Sequence, residues 1–447
     1  MLNYRSTYSK IKNLLVFSFP IVLGNLGQML IGAGDVFVAA KHGTNTVAAI
    51  SIANAILMTI FTIGMGLLLS ISPVLSKKRG ERKEISQYLK ISLFYSIVLA
   101  IVLGFITTFV AKFIPFMGFD KALIKYIQDY MLICSYSFVG AFVHIALKEF
   151  LQANEKIFFA NFVSIAAIFI NIALCWLLVF GNSYVHPLGV NGLAIAALII
   201  RSLMGISLLC YCWKYFQADF VIDINYLKEL FKVGYPMTLS MLLEFAAFNL
   251  ITIAAGRIGT TQVAAHNIVM TLAGVTFMIP LAVSNSIGVK IGYAYGSKNY
   301  VDIKENFFAG LAISICVMSL CALVFFSIPE VLIQIFSTDK DIVFIGSNLL
   351  LIVGIFQIFD GTQITISGAL RGLNYTKPIM TTMLIGYWFI GIPFGIYLAF
   401  GLHLQIFGLW AGLAVALFSC AGIFLILFKK RLLMVKNELI NQKPCLT

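Results

Sequence analysis

Ser18-Phe19-Pro20 opens a long apolar run, and Gly234-Tyr235-Pro236 opens another 216 residues later. Carrying that shift forward sets Gly43-Thr44 against Gly259-Thr260 and Val47-Ala48-Ala49 against Val263-Ala264-Ala265. Phe61 and Ile63 then meet Phe277 and Ile279, Ser70-Ile71 meets Ser286-Ile287, and Gly80 meets Gly296, all without a gap. A register held over about sixty residues marks a duplicated unit, because chance matching of apolar residues does not keep phase. A shift of 219 to 220 relates Phe180-Gly181 to Phe400-Gly401 and Gly189 to Gly408, so the repeat spans both halves.

Composition says what is duplicated. Of 447 residues, 60% are apolar or aromatic and 11% are charged, and the mean hydropathy is +0.97. Soluble domains carry about a quarter charged residues. So few ionic groups cannot cover a water-facing surface, so lipid is the main solvent. Soluble enzymes and nucleic-acid binders are excluded. Runs able to cross ~30 Å of hydrocarbon as helices of about 20 residues fall at 14–40, 46–74, 88–114, 124–150, 157–180, 188–215, 229–256, 262–289, 305–328, 342–370, 378–400 and 405–429. That makes twelve spans, six per copy. The first is too long for a signal-peptide core and lacks a small-residue cleavage site, so it reads as a retained helix.

Of the 31 lysines and arginines, 24 fall in segments on the side of the N-terminus, 6 fall on the other side, and Arg201 lies within a span. This bias sets both termini in the cytoplasm and accounts for the net charge of +13 without nucleic acid. The eight cysteines form no CxxC pair and have no histidine at ligand spacing, which supports neither a disulfide frame nor a metal site.

The expected fold is an all-α polytopic membrane protein of twelve transmembrane helices in two six-helix bundles. Because six is even, both copies enter the membrane in the same direction, with a pseudo-twofold axis along the membrane normal and the pathway between the bundles. The expected domains are an N-terminal lobe, 1–215, a cytoplasmic linker, 216–228, and a C-terminal lobe, 229–447. Two bodies that rock about a central cleft suit a carrier, and no filter loop of a channel is present.

Ionisable groups at membrane depth are costly, about 2.5–3.5 kcal/mol for Asp by insertion scales, so those retained are functional candidates. They are Asp35 in span 1, Glu244 in span 7 and Asp360 in span 10, with Arg201 in span 6 as the one deep basic group. Phe245 and Phe248 follow Glu244, and Asp360 has Phe356 and Phe359 before it and Gln363 after it. Carboxylates beside aromatic faces suit a lipophilic cation. They equally suit a coupling ion, because a buried carboxylate can exchange a proton or ligate sodium with amide and hydroxyl oxygens. Glu244 and Asp360 are the expected metal-binding pair. Gln28, Arg201, Phe245, Phe248, Phe356 and Gln363 are candidate substrate contacts. Structural alternatives stand beside these readings. Asp35 could pair with Arg201, Asn171 in span 5 is either a ligand or an interhelical hydrogen bond, and Gln28 could be helix–helix glue. His266 suits packing or capping better than proton relay.

Taken together, these residues resemble the multidrug and toxic compound extrusion (MATE) family over essentially the whole chain. The likeness rests on the Pro20 helix with Asp35, on Leu242-Leu243-Glu244-Phe245, and on Val263-Ala264-Ala265-His266-Asn267. Asp360 ahead of Gly368-Ala369-Leu370-Arg371-Gly372 and the Tyr375-Thr376-Lys377-Pro378 start of span 11 add to it. The resemblance implies a non-enzymatic antiporter of two six-helix lobes that exports cationic amphiphiles in exchange for sodium or protons. By it, Asp35 is similar to the first-lobe acid of the family's cation site and Asn171 to its partner. Glu244 and Asp360 match the second-lobe acids of a bacterial branch described as sodium-coupled. Cys175 and Ala197 depart from the family's first-lobe pattern, so coupling is expected in the second lobe, with Asp35 as a protonation switch.

The protein is thus expected to be a bacterial inner-membrane monomer that binds small lipophilic cations. It needs no cofactor beyond the coupling ion, sodium or proton. A lipid-linked oligosaccharide flippase of the same superfamily would call for a cationic cleft, and Arg201 alone faces three acids. A membrane-embedded transferase would need an Asp-rich DDxxD-like run, which the sequence lacks.

Overall fold

The computed structural model describes residues 4–184, 186–217 and 223–441. Among them, twelve helices are long and apolar enough to cross a membrane. They are α1 Ser9–His42, α2 Thr44–Gly80, α3 Ile85–Phe116, α4 Lys121–Ala153, α5 Phe158–Phe180, α6 Val190–Gln217, α7 Ile224–Ile258, α8 Thr260–Gly296, α9 Tyr300–Ser327, α10 Lys340–Gly372, α11 Lys377–Gly401 and α12 Gln405–Glu438. No strand occurs among the described residues. The protein is all-α and polytopic, as its hydropathy pattern requires.

Several helices outrun the apolar stretch that betrays them. α7 begins at Ile224, where the hydropathy run starts near 229, and α12 continues to Glu438, past 429. The extra turn of α7 carries Lys228 and Glu229, yet local bonds fix it. The Asp223 carboxylate accepts the Tyr226 N–H at 3.1 Å, capping the helix. The fully buried Tyr226 ring lies 4.8 Å from that of Tyr88, and its hydroxyl bonds Ser92 Oγ at 2.7 Å. Residues 218–222 of the expected linker lie outside the described residues, as do Lys443 and Cys445.

α11 is wound unusually. Leu384–Gly391 and Tyr397–Gly401 are π-helical, flanking Ile392–Ile396. Pro393 has no N–H to give the preceding turn, and wider turns recover backbone bonds that a regular helix would lose there. Gly412 of α12 lies directly on the Gly391 and Gly395 backbone, where a Cβ would come 2.4 Å from Gly395 Cα and 2.6 Å from the Gly391 carbonyl oxygen.

By packing, the described chain divides into two compact units. Unit 1 comprises Met1–Val22, Ser76–Arg82 and Leu239–Thr447; unit 2 comprises Leu23–Leu75 and Lys83–Thr238. Two of the four passages from one unit to the other fall just after Pro20 in α1 and just after Pro236 in α7, positions related by the repeat shift. The core of unit 2 includes Phe138 and Phe142, stacked at 5.5 Å, with Phe61 against both. That of unit 1 includes Trp410, Tyr387, Phe424 and Phe428, with Phe307 stacked on Phe428 at 3.8 Å.

Candidate functional site

In unit 2, Gly24, Gly27 and Gly34 let α1 lie close against Asn161, Ser164 and Ile172 of α5. One turn of α5 then faces Asp35. Asn171 Nδ2 donates to Asp35 Oδ1 at 2.7 Å, and Cys175 Sγ donates to the same oxygen at 3.3 Å. Asn171 is fully buried, and its Oδ1 forms no hydrogen bond. Arg201 lies within electrostatic range of Asp35 but forms no ion pair with it. Its Nη1 donates to Ser137 Oγ at 2.8 Å, and its guanidinium lies over the Phe61 ring at 5.5 Å. The planar guanidinium is better matched to a ring face and a hydroxyl than a lysine would be. Ala197 is buried, and Gln28 is exposed, without a hydrogen bond.

Unit 1 holds the second acidic group. Glu244 of α7 is partly buried, and Tyr387 Oη of α11 donates to its Oε1 at 3.0 Å. The adjacent Trp388 Nε1 donates to the Leu243 carbonyl at 3.1 Å, so consecutive residues of the π-helical turn grip consecutive residues of α7. Asp360 of α10 is 8% exposed and forms no hydrogen bond among the described residues, and it lies within electrostatic range of Glu244. Phe248 packs edge-on to Phe356 at 6.4 Å and tilted to Tyr387 at 6.1 Å, giving the acids an aromatic wall. Gln363, one turn from Asp360 and fully buried, donates from Nε2 to Met383 Sδ at 3.3 Å, while its Oε1 has no partner.

The structure therefore gathers Glu244, Asp360, Phe248, Phe356 and Gln363 in one unit, and Asp35, Asn171 and Arg201 in the other. Phe245, 39% exposed, forms no ring contact there. No set of three or more His, Cys, Asp or Glu side chains among the described residues could hold a metal ion. Beside Glu244 lies one further side-chain oxygen that the hydrogen bonds place there, the Tyr387 hydroxyl. Sequence reasoning missed Tyr387, Trp388 and Met383 because it weighed only charged groups in the spans. The signal available was a tyrosine in mid-span, whose hydroxyl needs a partner when buried.

His266 has a complete set of partners. Trp410 Nε1 donates to its Nδ1 at 3.2 Å, and its Nε2 lies 2.9 Å from Thr252 Oγ1.

Comparison with known proteins follows the repeat. The MatE family profile matches the chain twice, over residues 20–177 and 236–397. The "Probable multidrug resistance protein NorM" of Photorhabdus laumondii subsp. laumondii is 25% identical over 448 residues, covering 98% of this chain and 99% of that protein. Among solved structures, the eukaryotic MATE transporter AtDTX14 superposes with a TM-score of 0.85 at 18% identity, covering 97% of this chain and 100% of that one. The Vibrio cholerae MATE transporter VcmN does so at 0.87 with 20% identity, covering 96% and 98%. At such identities the structural likeness establishes the fold, twelve helices in two six-helix bundles. The profile, covering most of both halves, establishes the kinship: the chain belongs to the MatE family.

Proposed function

We propose that this membrane transporter exports hydrophobic, often cationic small molecules in exchange for sodium ions or protons by alternating access. The observation that carries this reading is Asp360, a buried carboxylate without a hydrogen bond, beside Glu244 and an aromatic wall. Two acids kept without a cation at membrane depth are costly. A lipophilic cation offsets that cost through charge pairing and ring contact, and a sodium ion or proton offsets it as well. The two solutes compete for one negative site, so each favours the conformation in which it is bound. The multidrug-resistance names of the curated relatives support export of this kind.

On this reading the ion reaches Glu244 and Asp360 from outside and displaces the drug, and the neutralised site then returns inward. Asp35, held by Asn171 and Cys175, acts as a protonation switch. The chain works as a monomer in the bacterial inner membrane with both termini in the cytoplasm, its lobes being 1–215 and 229–447. Tetraphenylphosphonium efflux from proteoliposomes under imposed sodium or proton gradients tests the proposal. Glu244→Gln is expected to insert normally and to lose gradient-driven efflux; undiminished efflux by that variant would remove Glu244 from the mechanism.

A further inference from the structure

One face of α4 carries six buried polar side chains, with Ala141 the apolar residue between Ser137 and His144. Tyr130, Cys134, Ser137, His144, Lys148 and Gln152 fall within an arc of about 80° at 3.6 residues per turn. All are buried, between 0% and 9% exposed. From Tyr130 to Gln152 the stripe runs ~33 Å at 1.5 Å per residue, the full depth of the hydrocarbon. A packed helix normally buries an apolar stripe here.

The two ends have partners. At the outer end Tyr130 and Cys134 lie within electrostatic range of Asp35, Tyr130 Oη donates to Asn54 Oδ1 at 3.4 Å, and Ser137 Oγ accepts from Arg201. At the cytoplasmic end Gln152 Nε2 donates to Ser72 Oγ at 3.4 Å. The middle is different. His144 is 3% exposed and close to the Met204 backbone, yet neither ring nitrogen forms a full hydrogen bond to protein. A neutral imidazole has one donor and one acceptor, and with the Met204 backbone close to one side the other is left unmet, which is costly. Bound water is the ordinary remedy.

We propose that His144 relays protons between Asp35 and the cytoplasm along this stripe, through water at the ring and across the interval up to Ser137. A proton arriving from the Asp35 side adds to the bare ring nitrogen. The opposite N–H then releases its proton to water on the Gln152 side, and the ring ends neutral as the other tautomer. The charged group acting on the His144 ring is Lys148, one turn on along α4. The helices packed on α4 carry Tyr88, Lys90, Tyr95 and Lys112 on α3, Arg201, Tyr211, Lys214 and Tyr215 on α6, and Lys77, Lys78 and Arg79 at the end of α2. The inference rests on Asp35 being a protonation switch.

The experiment uses the full chain in proteoliposomes and two readouts: tetraphenylphosphonium efflux driven by an imposed pH gradient, and gradient-free exchange of labelled for unlabelled tetraphenylphosphonium. His144→Gln keeps polar groups for water but cannot pass a proton on, and His144→Phe removes the water site. Both are expected to slow driven efflux about a hundredfold with exchange at the wild-type rate. Wild-type driven efflux in His144→Gln, or equal loss of efflux and exchange, would overturn the relay. A wild-type protein that exchanges tetraphenylphosphonium but ignores every pH gradient would overturn the protonation reading of Asp35 and the relay with it.

Discussion

Tyr387 Oη donates to Glu244 Oε1 at 3.0 Å, the one protein hydrogen bond this carboxylate forms among the described residues. The tyrosine is fully buried, so its hydroxyl has no water to fall back on. Hydrogen bonds to charged groups contribute about 1.5–3 kcal/mol, roughly ten- to a hundredfold in an equilibrium. Tyr387→Phe is therefore expected to lower driven efflux at least tenfold while expression and insertion hold. Because the phenol acts through Glu244, adding Tyr387→Phe to Glu244→Gln should change nothing further. Independent, multiplying losses in a double-mutant cycle would contradict this.

Arg201 carries the second prediction. Its guanidinium is engaged by Ser137 and Phe61, with no ion pair to Asp35. Exchanging the two charges, Asp35→Arg with Arg201→Asp, is expected to give no more efflux than the worse single variant. Recovery in the double variant would mean that the two groups pair during the cycle. Arg201→Lys should also lose function, since an ammonium cannot lie flat on Phe61 and bond Ser137 together.

Gly80 and Gly296 occupy matching places in the repeat, and within unit 1 each lies against the backbone beside the other. A Cβ on Gly80 would come 2.1 Å from the Tyr293 carbonyl oxygen, and one on Gly296 would come 1.9 Å from that of Lys77. Tyr293 is itself the repeat partner of Lys77, so the contact is reciprocal. Overpacking typically costs about 1–3 kcal/mol, and backbone cannot rotate away as a side chain does. Gly80→Ala and Gly296→Ala should each lower the melting temperature in detergent by several degrees. Gly32→Ala, with open space around the added methyl, should leave it unchanged or raise it. Equal melting of all three would show that the crossing yields freely.

The repeat shift, the twelve spans and the acids Asp35, Glu244 and Asp360 could be read from the sequence because lipid leaves few ways to hide a charge or break a helix. What could not be read depends on rotation about a helix axis. Hydropathy places Arg201 and Asp35 at membrane depth but not on facing sides, and Arg201 turns to Phe61. Tyr387 has no charge to draw attention, and the π-helical turn that aims it at Glu244 arises from Pro393 and glycine contacts with α12. The start of α7 was hidden for the opposite reason: Lys228 and Glu229 lower its hydropathy, while Tyr226 and the Asp223 cap hold it helical. Two of the chain's passages from one unit to the other fall beside Pro20 and Pro236, yet a proline in a span does not say where its helix changes neighbours.

The His266 ring can be assigned from its partners. An indole N–H only donates, so His266 Nδ1, 3.2 Å from Trp410 Nε1, must be bare. The neutral ring then carries its proton on Nε2, which donates to Thr252 Oγ1 at 2.9 Å, and Thr252 passes its own hydroxyl proton to the Phe248 carbonyl at 3.0 Å. Every link has a donor and an acceptor, and the chain ends at the backbone of a residue lining the Glu244 wall. An imidazolium would turn a second N–H against the indole N–H, which makes a relay role unfavourable. Glutamine can reproduce both bonds, accepting from Trp410 through Oε1 and donating to Thr252 through Nε2. His266→Gln is therefore expected to keep efflux within about twofold of wild type from pH 6 to 8, where histidine titrates. His266→Leu leaves the Trp410 donor buried and unmet, at a cost of about 1–3 kcal/mol, and should lower both the melting temperature and efflux. If His266→Gln instead abolished efflux while melting normally, the ring would be moving protons, and the packing role read from the sequence would have to be given up.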